Sequence, residues 1–258
     1  MDINLELSLI KFLLIFVRCL GFFMLTPVFG RREYPVSVKL GLSVLVSLII
    51  SPTVLGTNYD GSLQKELILL LSEIAVGLTL GYVTLLMFSA LYIAGEILDI
   101  EMGFGIVNVI DPQSRSQVPL TGNFYYMLAL MIFLSINGHH HLITAIVKSF
   151  EMVPLGEAVF LDDLFYGIIS IFKDTFMIGV KAALPIVAMI FLTDFALGII
   201  ARTVPQMNVF IVGLPIKILV GIWGMIIVLP MFLTILDVIF NGIYDNLFMI
   251  LKGMWLNP

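Results

Sequence analysis

The sequence predicts an all-α integral membrane protein of about six long apolar helices, some of them kinked or folded back as hairpins. Three observations carry this. Apolar residues make up 60% of the chain and charged residues only 12%; the mean hydropathy is +1.11; and the apolar residues gather into six long stretches. Soluble domains carry about 25% charged residues. With half that share, much of the exterior has to face lipid or other apolar protein.

The first stretch runs from Leu7 to Phe29. Its start carries Asp2 and Glu6 and is followed by no small-residue cleavage site, so it reads as a retained helix. Lys11 and Arg18 are seven apart and share a face. A charge at the bilayer centre costs about 2.5–3.5 kcal/mol on insertion scales, so that face should meet protein, water or headgroups. Lys11 is close enough to the end to snorkel; Arg18 lies deeper. The second stretch, Leu40 to Leu55, barely approaches the ~20 residues that cross a ~30 Å hydrocarbon core.

The third, Leu67 to Ala94, repeats Glu73, Gly77 and Gly81 every four residues. The two glycines suit close backbone packing against another helix, and Glu73 suits a hydrogen bond across it. Glu96 and Asp99 follow on one face with Glu101 nearby, a pattern that fits a solvated rim better than an acid/base pair. The connection from Glu96 to Gly122 contains Gly103, Gly105, Pro112 and Pro119, which exclude one continuous helix. Its apolar residues Phe104, Ile106, Val107, Val109 and Ile110, interrupted by Asn108, argue that it is a working segment rather than a disordered one.

The fourth stretch spans Phe124 to Val147, the fifth Leu164 to Ile200 and the sixth Val209 to Phe240. The third, fifth and sixth exceed a simple crossing. Tilted or proline-kinked helices (Pro185, Pro215, Pro230) account for this, and so do long hairpins packed on other protein. Lys173, Asp174, Lys181 and Asp194 in the fifth, with Lys217 and Asp237 in the sixth, are candidates for intramembrane or interfacial pairs. Arg202 lies between them. The basic loop Arg31 to Lys39 reads as cytoplasmic, the acidic loop Glu151 to Asp163 as external and Arg202 as cytoplasmic again. Six crossings with both termini outside satisfy all three.

Other classes lose support. Successive helical residues point about 100° apart, so His139, His140 and His141 do not converge on a metal. No zinc-protease, nucleophile-elbow or phosphate-loop motif is present, and no cofactor is expected. The net charge of −5 is scattered, without the basic patch that nucleic acid needs. Cys19 is the single cysteine, so no internal disulfide is possible.

Residues along nearly the whole chain resemble the FliR family of flagellar type III export-gate proteins. They begin with Arg18, Pro27, Pro35, Lys39-Leu40-Gly41-Leu42 and Ser51-Pro52. They continue through Glu73 to Gly81, Ala94-Gly95-Glu96, Gly103, Asp111-Pro112 and Pro119. Asn137-Gly138-His139, Ser149-Phe150, Pro154 and Gly156 follow. The last third adds Ala183-Leu184-Pro185, Leu197-Gly198, Arg202, Pro205-Gln206, Val209-Phe210, Gly213, Pro215 and Gly221. The injectisome counterparts share much of this pattern.

The resemblance implies a multi-pass protein of the bacterial inner membrane and flagellar basal body, with no catalytic chemistry of its own. It implies a single export-gate domain over 1–258, FliP-like over about 1–160, with a FliQ-like hairpin over about 161–258. FliP, FliQ, FlhB and FlhA would be its partners, membrane lipid its surroundings and unfolded export substrates its cargo. Such subunits rise largely out of the bilayer, so internal charges would face protein neighbours. The segment Phe104 to Ile110 would then plug the export path. The competing reading is a stand-alone secondary transporter using Glu73, Lys181 and Asp194 as an ion relay; the inverted repeats it calls for are not visible.

Overall fold

Apolar runs of this length leave backbone hydrogen bonding to be satisfied within each segment, and helices do that. The computed structural model describes residues 2–31, 33–54, 63–105, 119–206 and 208–255, and among them every regular element is helical. They are α1 (Asp2–Leu25), α2 (Val36–Ile50), α3 (Leu63–Met102), α4 (Leu120–Ser135), α5 (Gly138–Met152), α6 (Asp162–Thr203) and α7 (Val209–Gly253).

The all-α membrane class expected from composition holds, with two differences in its elements. The fourth apolar stretch is two helices, α4 and α5, bent by 75°. The break lies at Asn137, the one described non-glycine residue in the left-handed region, with φ 60°. Asparagine tolerates that conformation. Gly138 follows, where a Cβ would overlap the Phe133 ring, so a larger residue there would have to displace that buried ring. The prolines break nothing: Pro185 lies inside α6, and Pro215 and Pro230 inside α7.

The second difference concerns crossings. Four helices are long and apolar enough to span a membrane (α1, α3, α6 and α7), and the bent pair makes a fifth candidate. With only 15 residues, α2 reaches about 22 Å at 1.5 Å per residue. Among the described residues, length and composition thus give four or five candidate spans beside the six crossings expected.

By internal contacts the chain forms two units. The first comprises Met1–Met87, Phe133–Phe172 and Phe240–Pro258; the second comprises Phe88–Ile132 and Lys173–Ile239. In the first, α1 packs on α2 and buries Leu14, Ile15, Phe22 and Phe23, a stripe at the helical period. Val76, Leu80, Leu142, Ile146, Ile243 and Leu247 are among the other buried residues of that unit. In the second, Phe88, Leu98, Met102, Ala129, Ile186 and Leu236 are buried, and Tyr125 stacks on Phe232 at 4.5 Å. In each unit α6 and α7 lie antiparallel: Leu164 beside Gly253 in the first, Leu197 beside Gly213 in the second.

Candidate functional site

A guanidinium offers five N–H donors in a fixed fork and stays charged at any accessible pH, so a buried arginine organises whatever surrounds it. Arg18 is fully buried on α1, among Leu14, Ile15 and Phe22. Its Nε donates to Glu73 Oε2 on α3 at 2.5 Å. Nη1 donates to the carbonyls of Ser149 at 3.1 Å and Val153 at 3.0 Å and faces the Ser149 hydroxyl at 3.4 Å. The Phe150 ring lies 4.4 Å from the guanidinium carbon, within cation–π range.

The second oxygen of Glu73 is also engaged: Oε1 accepts the Gly156 N–H at 2.8 Å. Gly156 has φ 77°, a conformation that favours glycine. A single ion pair thus fastens α1, α3, the end of α5 and the turn that follows. Both carbonyls sit where α5 ends: that of Ser149 also accepts the Val153 N–H at 2.9 Å, and Val153 caps the helix. Nη2 of Arg18 has no hydrogen-bond partner among the described residues. Lys11, on the same helix face, is half-buried.

This clasp depends on close approach of α1 and α3, which glycines permit. A Cβ on Gly77 would collide with the Arg18 carbonyl; one on Gly81 would lie 2.8 Å from the Phe22 carbonyl, and one on Gly21 2.9 Å from that of Ile74. The nearest neighbour in each case is a backbone carbonyl, which cannot turn aside as a side chain can.

In the second unit, Asp99 is buried, and its carboxylate accepts the N–H of Thr121 at 3.2 Å and also the Thr121 hydroxyl. Glu96 is exposed, so the face expected to carry both carboxylates is divided by the packing surface. Phe104 is half-buried. Ile106, Val107, Asn108, Val109 and Ile110 lie outside the described residues. Lys217 pairs with Asp194 at 2.7 Å. The pair lines a cleft of about 450 Å³ with Glu101, Gly103, Leu197 and Leu214. Lys173, Asp174, Lys181, Arg202 and Asp237 are exposed. His141 packs on Tyr244 at 5.2 Å, and no metal-binding cluster of His, Cys, Asp or Glu occurs among the described residues.

The family model for bacterial export proteins, family 1, matches residues 9–243. The chain belongs to that family. Among its relatives, the flagellar biosynthetic protein FliR of Bacillus subtilis (strain 168) is 40% identical over 236 residues, covering 89% of this chain and 90% of that protein. That of Pectobacterium carotovorum subsp. carotovorum is 31% identical over 233 residues, covering 90% and 89%. That of Escherichia coli (strain K12) is 29% identical over 231 residues, covering 90% and 88%.

The resemblance read from scattered residues is thus a relationship along most of the chain, and this export protein is a transmembrane member of the family. Reading the sequence pointed to Arg18, Glu73, Gly77 and Gly81 but missed what Ser149, Val153, Gly156 and Thr121 do. All four act through backbone groups, which carry no sequence signal, and Ser149 and Thr121 add their hydroxyls. An available signal was the glycine at 156 just past the end of a helix.

Proposed function

We propose that the protein is a structural and gating subunit of the flagellar type III export gate, forming with FliP and FliQ the pore for unfolded substrates. The observation that carries this is the mismatch between α6 and α7 and any bilayer. With 42 and 45 residues, they reach about 63 and 68 Å at 1.5 Å per residue, twice a ~30 Å hydrocarbon core. Their surfaces stay apolar well beyond that length: Phe165, Ile169, Phe191 and Phe195 on α6, and Trp223 and Ile227 on α7, are each more than half exposed. Lys181 is exposed near the middle of α6, where lipid would be costly. Apolar surface outside the bilayer with charges along it fits burial against neighbouring subunits.

Under this reading the protein sits in the bacterial inner membrane at the flagellar basal body and contributes conduit rather than catalysis. The antiparallel α6–α7 pair supports a FliQ-like hairpin over 161–258, leaving 1–160 as the FliP-like part. FlhB, FlhA and the unfolded substrates in transit complete the proposed set of partners. The relatives' names favour the flagellar system over the injectisome. An ion relay through Glu73, Lys181 and Asp194 gains no support. Glu73 is committed to Arg18 and Gly156, Asp194 to Lys217, and thirteen residues of helix separate Lys181 from Asp194 by about 20 Å.

The test is expression alone against co-expression with FliP and FliQ. Alone, the protein should aggregate or be degraded; with both it should co-purify as one large assembly. A monodisperse monomer whose stability is unchanged by the partners would overturn the reading.

The plug is tested in the assembled complex. Replacing residues 104–109 with a Gly/Ser linker should raise ion leakage severalfold while assembly persists, because the apolar residues that exclude water from a constriction are gone. An assembled variant as tight as the parent would reduce the segment to a connector.

A further inference from the structure

We propose that Asp99 is a positioning residue that fixes both ends of the connection between α3 and α4 to a single neck. One residue holds the exit and the return. At the exit, the Asp99 carbonyl accepts the N–H of Gly103 at 3.1 Å. Gly103 has φ 90°, as a left-handed residue ending a helix does. At the return, the Asp99 carboxylate takes the N–H and hydroxyl of Thr121. That N–H belongs to the first turn of α4, which has no carbonyl of its own helix to pair with. A carboxylate there is favoured by both charge and dipole.

Below the neck, α3 and α4 are joined in series. A Cβ on Gly95 would overlap the backbone of Gly122, so the two helices touch there. Tyr126 stacks on Tyr92 at 5.0 Å and meets the Phe88 ring edge-on at 5.9 Å. Asp99 is 7% and Thr121 4% exposed, so water does not readily substitute for either. The contact closes a loop of more than twenty residues, and removing it leaves a buried hydroxyl and N–H unpaired.

What the neck is for rests on the export-gate reading: a segment that seals a path must return to one place. The neck itself does not depend on that reading, and its test is separate. Arg115 is the only Lys or Arg between Lys65 and Lys148, so trypsin cleavage after it gives a unique pair of fragments. Cleavage after the exposed Lys65 serves as the internal reference.

With the full chain in detergent, Asp99→Ala should raise cleavage at Arg115 about tenfold relative to Lys65, the scale expected when one buried charge-assisted contact is lost and an open form gains population. Asp99→Asn, which keeps an acceptor oxygen, should stay within about twofold of the parent. Thr121→Val should also speed cleavage, and adding it to Asp99→Ala should add nothing further. Unchanged cleavage in Asp99→Ala, additive single effects, or an equal rise at Lys65 would each overturn the proposal. Ion leakage in the assembled complex is scored independently: faster cleavage without leakage keeps the neck and removes the plug.

Discussion

Replacing Glu73 with alanine is expected to destabilise the protein by about 3–5 kcal/mol, because it leaves the Arg18 guanidinium buried and unpaired. Arg18 is fully buried and one of its nitrogens already lacks a hydrogen-bond partner among the described residues, so no surplus acceptor among them stands ready to replace the carboxylate. Gly156 also loses the acceptor for its N–H, which loosens the turn after α5. The double variant Arg18→Leu/Glu73→Leu should lose much less than Glu73→Ala, since an apolar pair carries no uncompensated charge. Unfolding in detergent of the parent, Glu73→Ala and the double variant measures this directly. If Glu73→Ala unfolds like the parent, the clasp is incidental to stability.

Gly77→Leu should be at least as damaging, at more than about 3 kcal/mol, and should abolish incorporation into the assembly. Overpacking usually costs about 1–3 kcal/mol because side chains can shift. Here the obstacle is the Arg18 main chain, so α1 and α3 have to separate, and the Arg18–Glu73 pair separates with them. Gly41 is the internal control: a Cβ there meets nothing within 4 Å. Gly41→Ala should therefore be neutral or slightly stabilising, since alanine is the better helix former. Co-purification with partner subunits, set beside detergent stability, reads out both variants. Normal assembly of Gly77→Leu would mean that the helices are free to move apart.

How much of this was legible in the sequence depends on the range of the interaction. The α3 helix could be read from its apolar run, and the small-residue spacing of Gly77 and Gly81 marked a close-packing face, since both are local periodicities. The break at Asn137 was missed although Asn-Gly is a turn signal, because apolar residues continue on both sides and the prolines elsewhere drew the expectation of kinks. Glu96 and Asp99 looked like one acidic face. Three residues of helix turn the chain by about 300°, and the packing surface falls between them.

Least legible was the pairing of Arg18 with Glu73, 55 positions apart. Each charge was conspicuous in its own helix, but nothing local says which buried cation meets which buried anion.

That separation has a consequence for the order in which the protein is made. Ribosomes add about 5–20 residues per second, so Glu73 follows Arg18 after roughly 3–11 s. The Ser149 carbonyl, 131 positions on, follows Arg18 only after roughly 7–26 s. During the first interval the nascent α1 carries an unpaired charge; during the second it has one partner of the three that finally hold it. The partners of Arg18 therefore become available in two stages, first Glu73 on α3 and then the end of α5, so a chain stalled between them holds an arginine with only part of its final set.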